Sequence, residues 1–264
     1  DVCSSDLQAI DKFGEIQVIA ANIDYALLVQ AADRDFNINR LERYLTICNS
    51  SKVKPVIVLT KTDLIDQESG VRTIELIKKR IKGVDVFAIS NTTLDGYEDL
   101  SRLIEKGKTF CLLGSSGVGK STLVNNLYGK QLMSTKSISL STGKGKHTTS
   151  HREMIFLENG GILIDNPGMR EVGVVDKESG MEMTFDLIFT LSQKCRFKNC
   201  THTNEIGCAV IEAIENGSLE RDVYENYIKI QKERSFFETS VSEKKKRDKI
   251  LGKIIKDYQR KGIK

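Results

Sequence analysis

The stretch Thr109 to Gly129, TFCLLGSSGVGKSTLVNNLYG, constrains the fold of this chain more than any other. A short apolar run leads into a tight glycine-bearing loop and then a helical segment. Gly114, Gly119, Lys120 and Ser121 fit G-x-x-x-x-G-K-[ST] in the strand–loop–helix setting that the pattern requires. Backbone N–H groups from Ser115, Ser116, Gly117 and Val118 through Thr122 can curl around the α- and β-phosphates of a nucleotide, and the helix points its positive end at them. Gly114, Gly117 and Gly119 let the backbone approach without a Cβ in the way. Lys120 can reach the β/γ-phosphates, and the Ser121 hydroxyl can take a place on Mg²⁺. A chance glycine-rich turn is the alternative, but it has no need of the flanking strand and helix. The stretch predicts a nucleoside triphosphate site.

At 264 residues, with 39% hydrophobic and 29% charged residues, the chain has material for one large domain and a smaller one. No apolar run reaches the roughly 18 residues of a membrane span. DVCSSDLQAIDKFGE lacks the basic start and apolar middle of a signal peptide, so a cytoplasmic protein without a membrane partner is expected. Six cysteines are then better read as metal ligands or core residues than as disulfides. The net charge of +4 is uneven: Glu243 to Lys264 alone hold ten Lys/Arg against three Asp/Glu, leaving the rest of the chain at −3. Such a tail is either a solvated helix or an RNA-binding segment that gains affinity by releasing phosphate counterions.

Residues 1 to 17 show no usable periodicity and read as a leader or the remnant of a preceding domain. From there strands and helices alternate. YALLVQAA (Tyr25 to Ala32), VIVL (Val56 to Leu59), Val84 to Ile89 and the run into the phosphate loop read as buried strands. Helices are expected over Asn37 to Ser51, with Ile38, Leu41, Leu45 and Cys48 as its stripe, over 70 to 82, with Val71, Ile74, Ile77 and Ile81, and over Tyr97 to Glu105. This alternation predicts an α/β three-layer sandwich, a parallel sheet with helices on both faces. Ser134 to Ser150 is polar and reads as a loop. Arg152 to Leu157 and Gly161 to Ile164 read as a hairpin turning at Gly160 and Gly161. From about Met181 the pattern turns helical, which sets a boundary near 172 to 180. The expected division is a nucleotide domain over 18–175 and a smaller helical domain over 176–264.

Two further stretches choose the nucleotide. Thr60-Lys61-Thr62-Asp63 directly follows VIVL and fits the N/T-K-x-D guanine reader. Its carboxylate accepts both the ring N–H and the exocyclic amine, a pair that adenine lacks. The Lys61 stem would lie along the face of the base. Ile89-Ser90-Asn91, after the next strand, is similar to the second guanine contact of GTPases. Asp165-Asn166-Pro167-Gly168 ends a later strand; there Asp165 would hold Mg²⁺ and the Gly168 N–H would sense the γ-phosphate. An ordinary turn is the alternative for the Pro-Gly pair. The order of the parts is unusual, because the guanine reader precedes the phosphate loop and the acidic switch follows it. Moving the chain ends keeps the same sheet, so a circularly permuted GTPase is expected.

Cys195-x4-Cys200-x-His202-x5-Cys208 supplies three thiols and an imidazole in a segment with few apolar residues, a common structural set for one tetrahedral Zn²⁺. Cys3, Cys48 and Cys111 lack partners at ligand spacing and read as inert.

With these motifs in this order, the chain resembles the RsgA family of ribosome small-subunit-dependent GTPases. The resemblance rests on AANIDYALLVQA, GSSGVGKSTLVN, GKGKHTTSHRE, LIDNPGMRE and CRFKNCTHTNEIGCAV and covers about residues 18 to 235. It implies a late role in maturing the small ribosomal subunit, GTP hydrolysis stimulated by that subunit, contact with its rRNA, and a monomer. Family members usually begin with an OB-fold domain, which is not evident before residue 18. Thr60 stands where Asn is usual and is expected to weaken loop anchoring slightly. Met169 occupies the position of the water-orienting Gln of many GTPases, so another group must do that work. His147 is the candidate, against the alternative of a solvent-exposed loop histidine, and the resemblance supports it. Thr148 and Thr149 are candidates for the switch threonine that closes on Mg²⁺, the resemblance favouring Thr149. Two other classes stay open: a P-loop ATPase or kinase, and a zinc-stabilised RNA-binding module that uses GTP only to report occupancy.

Overall fold

The structure, a computed structural model, describes residues 6–10, 16–33, 35–130, 153–165 and 180–237. Six strands form the main sheet: β3 (Tyr25–Ala31), β4 (Lys54–Thr60), β5 (Asp85–Ala88), β6 (Thr109–Leu113), β7 (Glu153–Phe156) and β8 (Ile162–Asp165). Their spatial order is β5-β4-β3-β6-β8-β7. Every neighbouring pair is parallel except β7 with β8, the hairpin expected around Gly160 and Gly161. The parallel register puts Ala31 beside Thr60, Leu59 beside Ala88, Leu28 beside Leu113 and Leu112 beside Asp165. All five carboxyl ends therefore open on one edge, the place where ligands bind open α/β sheets.

Side chains alternate between the two faces of these strands, and both faces are covered. Ala26, Leu28, Ile57, Leu59, Cys111 and Leu113 pack with α1 (Ile38–Ser50) and with Ile77 of α2 (Gln67–Arg80). Leu27, Val29, Val56, Val58, Phe110 and Leu112 pack with α3 (Tyr97–Leu103) and α4 (Lys120–Tyr128). This is the expected layered fold with helices on both sides. Asn37 caps α1 by accepting from the Arg40 N–H, and Asp66 caps α2 through the Ser69 N–H, so α2 begins before the position expected from its apolar stripe. Val71 of that stripe is exposed, whereas Ile77 and Ile81 are buried.

The first residues hold a surprise. β1 (Leu7–Ile10) pairs antiparallel with β2 (Ile16–Ala20), and Leu7, Ala9 and Ile19 join the core on the α1 side. No periodicity had marked this ribbon.

Beyond residue 180 the chain forms α5 (Gly180–Thr184), α6 (Asp186–Ser192), α7 (Ala209–Glu215) and a last helix, α8, over 221–237. α5 crosses α1 so closely that a Cβ on Gly180 would lie 2.0 Å from Ser50 Oγ, which accounts for glycine there. α8 is held to the sheet domain by charge. Arg43 clamps both carboxylate oxygens of Glu233 at 2.7 and 2.6 Å. Buried Glu42 accepts from Arg80 Nε at 2.6 Å and from Asn226. The two parts thus share one core, continued through α1. The proposed boundary near 172 to 180 and the basic tail from 243 onward fall largely or wholly outside the described residues.

Candidate functional site

Four of the five parallel strands deliver the predicted nucleotide residues to a common edge. β6 ends in the loop Gly114 to Gly119. Gly114 passes so close to β3 that a Cβ there would stand 2.3 Å from the Val29 carbonyl oxygen. Gly119, with φ +95, reverses the chain into α4. Lys120 folds back over the loop, its Nζ donating to the Gly114 and Ser115 carbonyls at 2.8 and 3.0 Å. Ser121 and Thr122 follow in the first turn of α4, and the side chains of Ser115 and of Tyr44 on α1 are hydrogen-bonded to each other.

β4 ends in Thr60-Lys61-Thr62-Asp63. Thr60 is fully buried and its hydroxyl donates to the Val118 carbonyl at 2.5 Å. The guanine reader therefore touches the phosphate loop, although 58 positions separate the two in sequence. The Thr60 hydroxyl makes a short bond to the loop, and Asn91 adds a second at 3.0 Å, from Nδ2 to the Gly119 carbonyl. Lys61 adopts a left-handed backbone (φ 59), and Asp33 at the end of β3 holds its ammonium at 3.1 Å. Ser90 is buried and donates to Asp63 Oδ1 at 2.7 Å, while its own oxygen accepts the Thr92 and Thr93 N–H groups. Its hydroxyl thus orients the Asp63 carboxylate, a role additional to the contact expected from Ile89-Ser90-Asn91.

β8 ends in Asp165, beside Leu112 of β6. The carboxylate is 1% exposed, and its Oδ1 has no hydrogen-bond partner among the described residues. Burial pushes its pKa up to about 6, against the opposing pull of Lys120. Burial also pushes Lys120 down to about 8, with Asp165 opposing. A buried, unpartnered carboxylate oxygen beside the phosphate loop fits a hard cation with oxygen ligands, as Mg²⁺ requires. Gly168, His147 and Thr149, expected to complete the site, lie outside the described residues.

The two shifts have a testable consequence. Because the folded pKa of Asp165 is raised above 3.8, the unfolded chain binds fewer protons between pH 3.8 and about 6, and stability falls as pH rises through that window. Lys120 is lowered from 10.5 to about 8, so its penalty is fully present below about 8 and is relieved towards 10.5. Asp165→Asn is therefore expected to raise the thermal midpoint of the ligand-free protein by a few degrees near neutral pH. The gain should vanish below the ordinary carboxylate pKa, where both states are protonated, as thermal melts across pH would show.

The second site lies between α6 and α7. The ligand atoms of Cys195, Cys200, His202 and Cys208 all fall within 4.8 Å of one another. Cys195 Sγ is 3.8 Å from Cys208 Sγ, and His202 Nδ1 is 3.6 and 3.4 Å from those two sulfurs. With Zn–S near 2.3 Å and Zn–N near 2.0 Å, the edges of a tetrahedron are about 3.8 Å for S–S and about 3.5 Å for S–N. The cluster fits a zinc site, with His202 offering Nδ1. His202 sits at φ 60, and the Tyr224 hydroxyl holds its carbonyl at 2.7 Å. Glu205 ties the loop by accepting from the Thr201 N–H and hydroxyl, which holds its pKa down at about 2. Cys48 and Cys111 are buried away from the cluster, and burial pushes the Cys48 thiol far up.

Sequence reasoning missed Asp33, Tyr44 and the side-chain role of Asn91. Asp33 and Tyr44 belong to no spaced motif, Asn91 is marked in sequence only as part of Ile89-Ser90-Asn91, and each acts through a contact that only the folded sheet creates.

A family model described as RsgA GTPase matches residues 5–175, well over half of the chain. The chain belongs to the RsgA GTPase family. An ABC transporter model also matches residues 97–254, a range that includes the phosphate loop but omits Thr60 to Asp63. Among RsgA relatives, the chain is 46% identical over 227 residues to small ribosomal subunit biogenesis GTPase RsgA 2 of Listeria monocytogenes, covering 86% of this chain and 65% of that protein. It is 48% identical over 225 residues to RsgA 1 of Listeria innocua, covering 85% and 64%. The chain thus spans just under two thirds of the length of these relatives. Its fold is similar to crystal structures of YjeQ from Thermotoga maritima (26% identity, TM-score 0.59, 87% of this chain and 76% of that one) and of YloQ, described as a circularly permuted GTPase (29%, 0.59, 84% and 74%). The permuted order of the RsgA fold is that of this chain. No helix among the described residues is long and apolar enough to cross a membrane.

Proposed function

We propose that this chain binds and hydrolyses GTP on the small ribosomal subunit, in a late step of that subunit's maturation. One observation carries the nucleotide half of the reading: the Thr60 hydroxyl reaches the Val118 carbonyl, so the Thr60–Asp63 turn adjoins the phosphate loop. Asp63, oriented by Ser90, reads the guanine edge; Lys61 and Thr62 shape the base pocket. Amides from Gly114 to Thr122 and the Lys120 ammonium hold the phosphates. Ser121, Asp165 and Thr149 are the groups that would hold Mg²⁺, which would neutralise charge on the phosphates. His147 orients the attacking water in this reading, since Met169 has no strong donor or acceptor. The ribosomal half rests on the names of the relatives, small ribosomal subunit biogenesis GTPases. Residues 18–175 are the nucleotide-binding part, and 176–264 the zinc-bearing part with its basic tail. The protein is a cytoplasmic monomer in this reading.

The test is GTP turnover with and without purified small ribosomal subunits. Slow intrinsic turnover and strong acceleration by the subunit are expected. Stimulation that survives His147→Ala unchanged would remove the histidine from its role. Subunit binding that changes with the bound nucleotide but brings no stimulated turnover would favour the occupancy-reporting RNA module.

A further inference from the structure

Asn91 occupies a position that the guanine reader and phosphate loop do not themselves explain. It follows Ser90 at the end of the β5 segment, and its side chain runs towards α4. Nδ2 donates to the Gly119 carbonyl at 3.0 Å, and Oδ1 accepts from the Tyr97 hydroxyl at 2.6 Å. Asn126 of α4 donates from one amide nitrogen to the Asn91 backbone carbonyl and to the Tyr97 oxygen, both at 3.0 Å. Tyr97 is 8% exposed, and burial pushes its phenol up to about 12, so it remains a donor. With the Tyr97 proton committed to Oδ1, the Asn91 amide has one orientation left, its N–H₂ facing Gly119. The circuit joins the guanine-side loop to the first and second turns of α4.

The bond to Gly119 has a directional effect. A trans peptide points its C=O and the following N–H in opposite directions. Asn91 holds the Gly119 carbonyl, which also accepts the first helical bond from the Leu123 N–H, and so the Lys120 N–H faces the phosphate cradle. Thr60 does the same one peptide earlier, holding the Val118 carbonyl and turning the Gly119 N–H the same way. Two consecutive amides of the anion-binding nest are therefore aimed from the guanine side. Space is matched as well: a Cβ on Gly119 would lie 2.5 Å from Asn91 Nδ2.

We propose that Asn91, locked by Tyr97 and Asn126, is a positioning residue that aims the phosphate-loop amides and thereby sets how long the nucleotide is retained. The proposal rests on the guanine-nucleotide reading above. Its test uses Asn91→Asp, which keeps shape and volume but removes the donor and sets a carboxylate against the Gly119 carbonyl. Release of a fluorescent GDP analogue is expected to be about tenfold faster than from the wild type at neutral pH, the size of one lost and one repulsive contact. The unliganded thermal midpoint should fall by a few degrees at most, since the Gly119 contact is also lost in the empty protein, and should recover as pH falls. As pH falls towards the carboxylic pKa the protonated side chain regains a donor, so the variant-to-wild-type ratio should narrow. Comparison at each pH cancels the titration of the other groups in the site, which both proteins share. Tyr97→Phe keeps the ring, frees the amide to rotate and should speed release about threefold. Unchanged release, or faster release only in step with a fall in midpoint and without pH rescue, would overturn the proposal. A wild type that holds ADP as tightly as GDP would instead overturn the guanine reading; a guanine-selective wild type with an inert Asn91→Asp overturns this inference alone.

Discussion

Asp63→Asn is expected to cost GTP about a hundredfold or more in affinity while opening the site to xanthosine triphosphate. In the proposed reading the carboxylate would accept two N–H groups from guanine, and Ser90 fixes it by donating to Oδ1 at 2.7 Å. An asparagine in the same place keeps one acceptor, but turns an N–H₂ group towards the exocyclic amine of guanine. Two charge-assisted bonds are lost or inverted, each worth about 1.5–3 kcal/mol. Xanthine carries a carbonyl where guanine carries the amine, so it matches the new donor. Competition of GTP, XTP and ATP against a labelled nucleotide reads all three affinities. A variant that still prefers GTP would show that Asp63 does not face the base.

Cys208→Ser is expected to reduce bound zinc from one ion per chain to a small fraction and to loosen the part of the chain beyond residue 180. Structural zinc contributes about 10–16 kcal/mol of apparent binding energy in small metal-stapled units. Here the dependence follows from composition. The Cys195 to Cys208 loop places Phe197 and Ile206 largely in solvent, so little apolar burial holds it. The Tyr224 bond to the His202 carbonyl and the Glu205 clasp hold it, and a metal on Cys195, Cys200, His202 and Cys208 would be its main staple. Metal analysis and far-ultraviolet dichroism during chelator titration check this together. Full zinc content in Cys208→Ser would place the ion elsewhere.

The sheet was legible from sequence because its strands are short apolar runs between capped amphipathic helices. YALLVQA and VIVL sit where they were expected, as does the hairpin at Gly160 and Gly161. The candidate phosphate loop, guanine reader and zinc cluster stand out in sequence because each chemistry dictates residue types at fixed spacing. The β1–β2 ribbon was not, since its strands are four and five residues long and its buried side chains include a small alanine. Contacts between separate motifs were also invisible. The Thr60 hydroxyl reads as a mere substitution until β4 and β6 are aligned beside β3, and the Asn91–Tyr97–Asn126 circuit joins three elements that no local pattern links. The closure of α8 on α1 through Arg43 and Glu233 bridges 190 positions, a separation at which charge pairing leaves no trace in sequence.

The central claim is that residues on both sides of the permutation point grip one nucleotide. A crystal structure with Mg²⁺ and a non-hydrolysable GTP analogue tests it most directly. One ligand is predicted, its guanine edge on the Asp63 carboxylate, its phosphates against the amides from Gly114 to Thr122, and its cation beside Asp165. A base bound away from Asp63, with the phosphates still in the loop, would contradict the account.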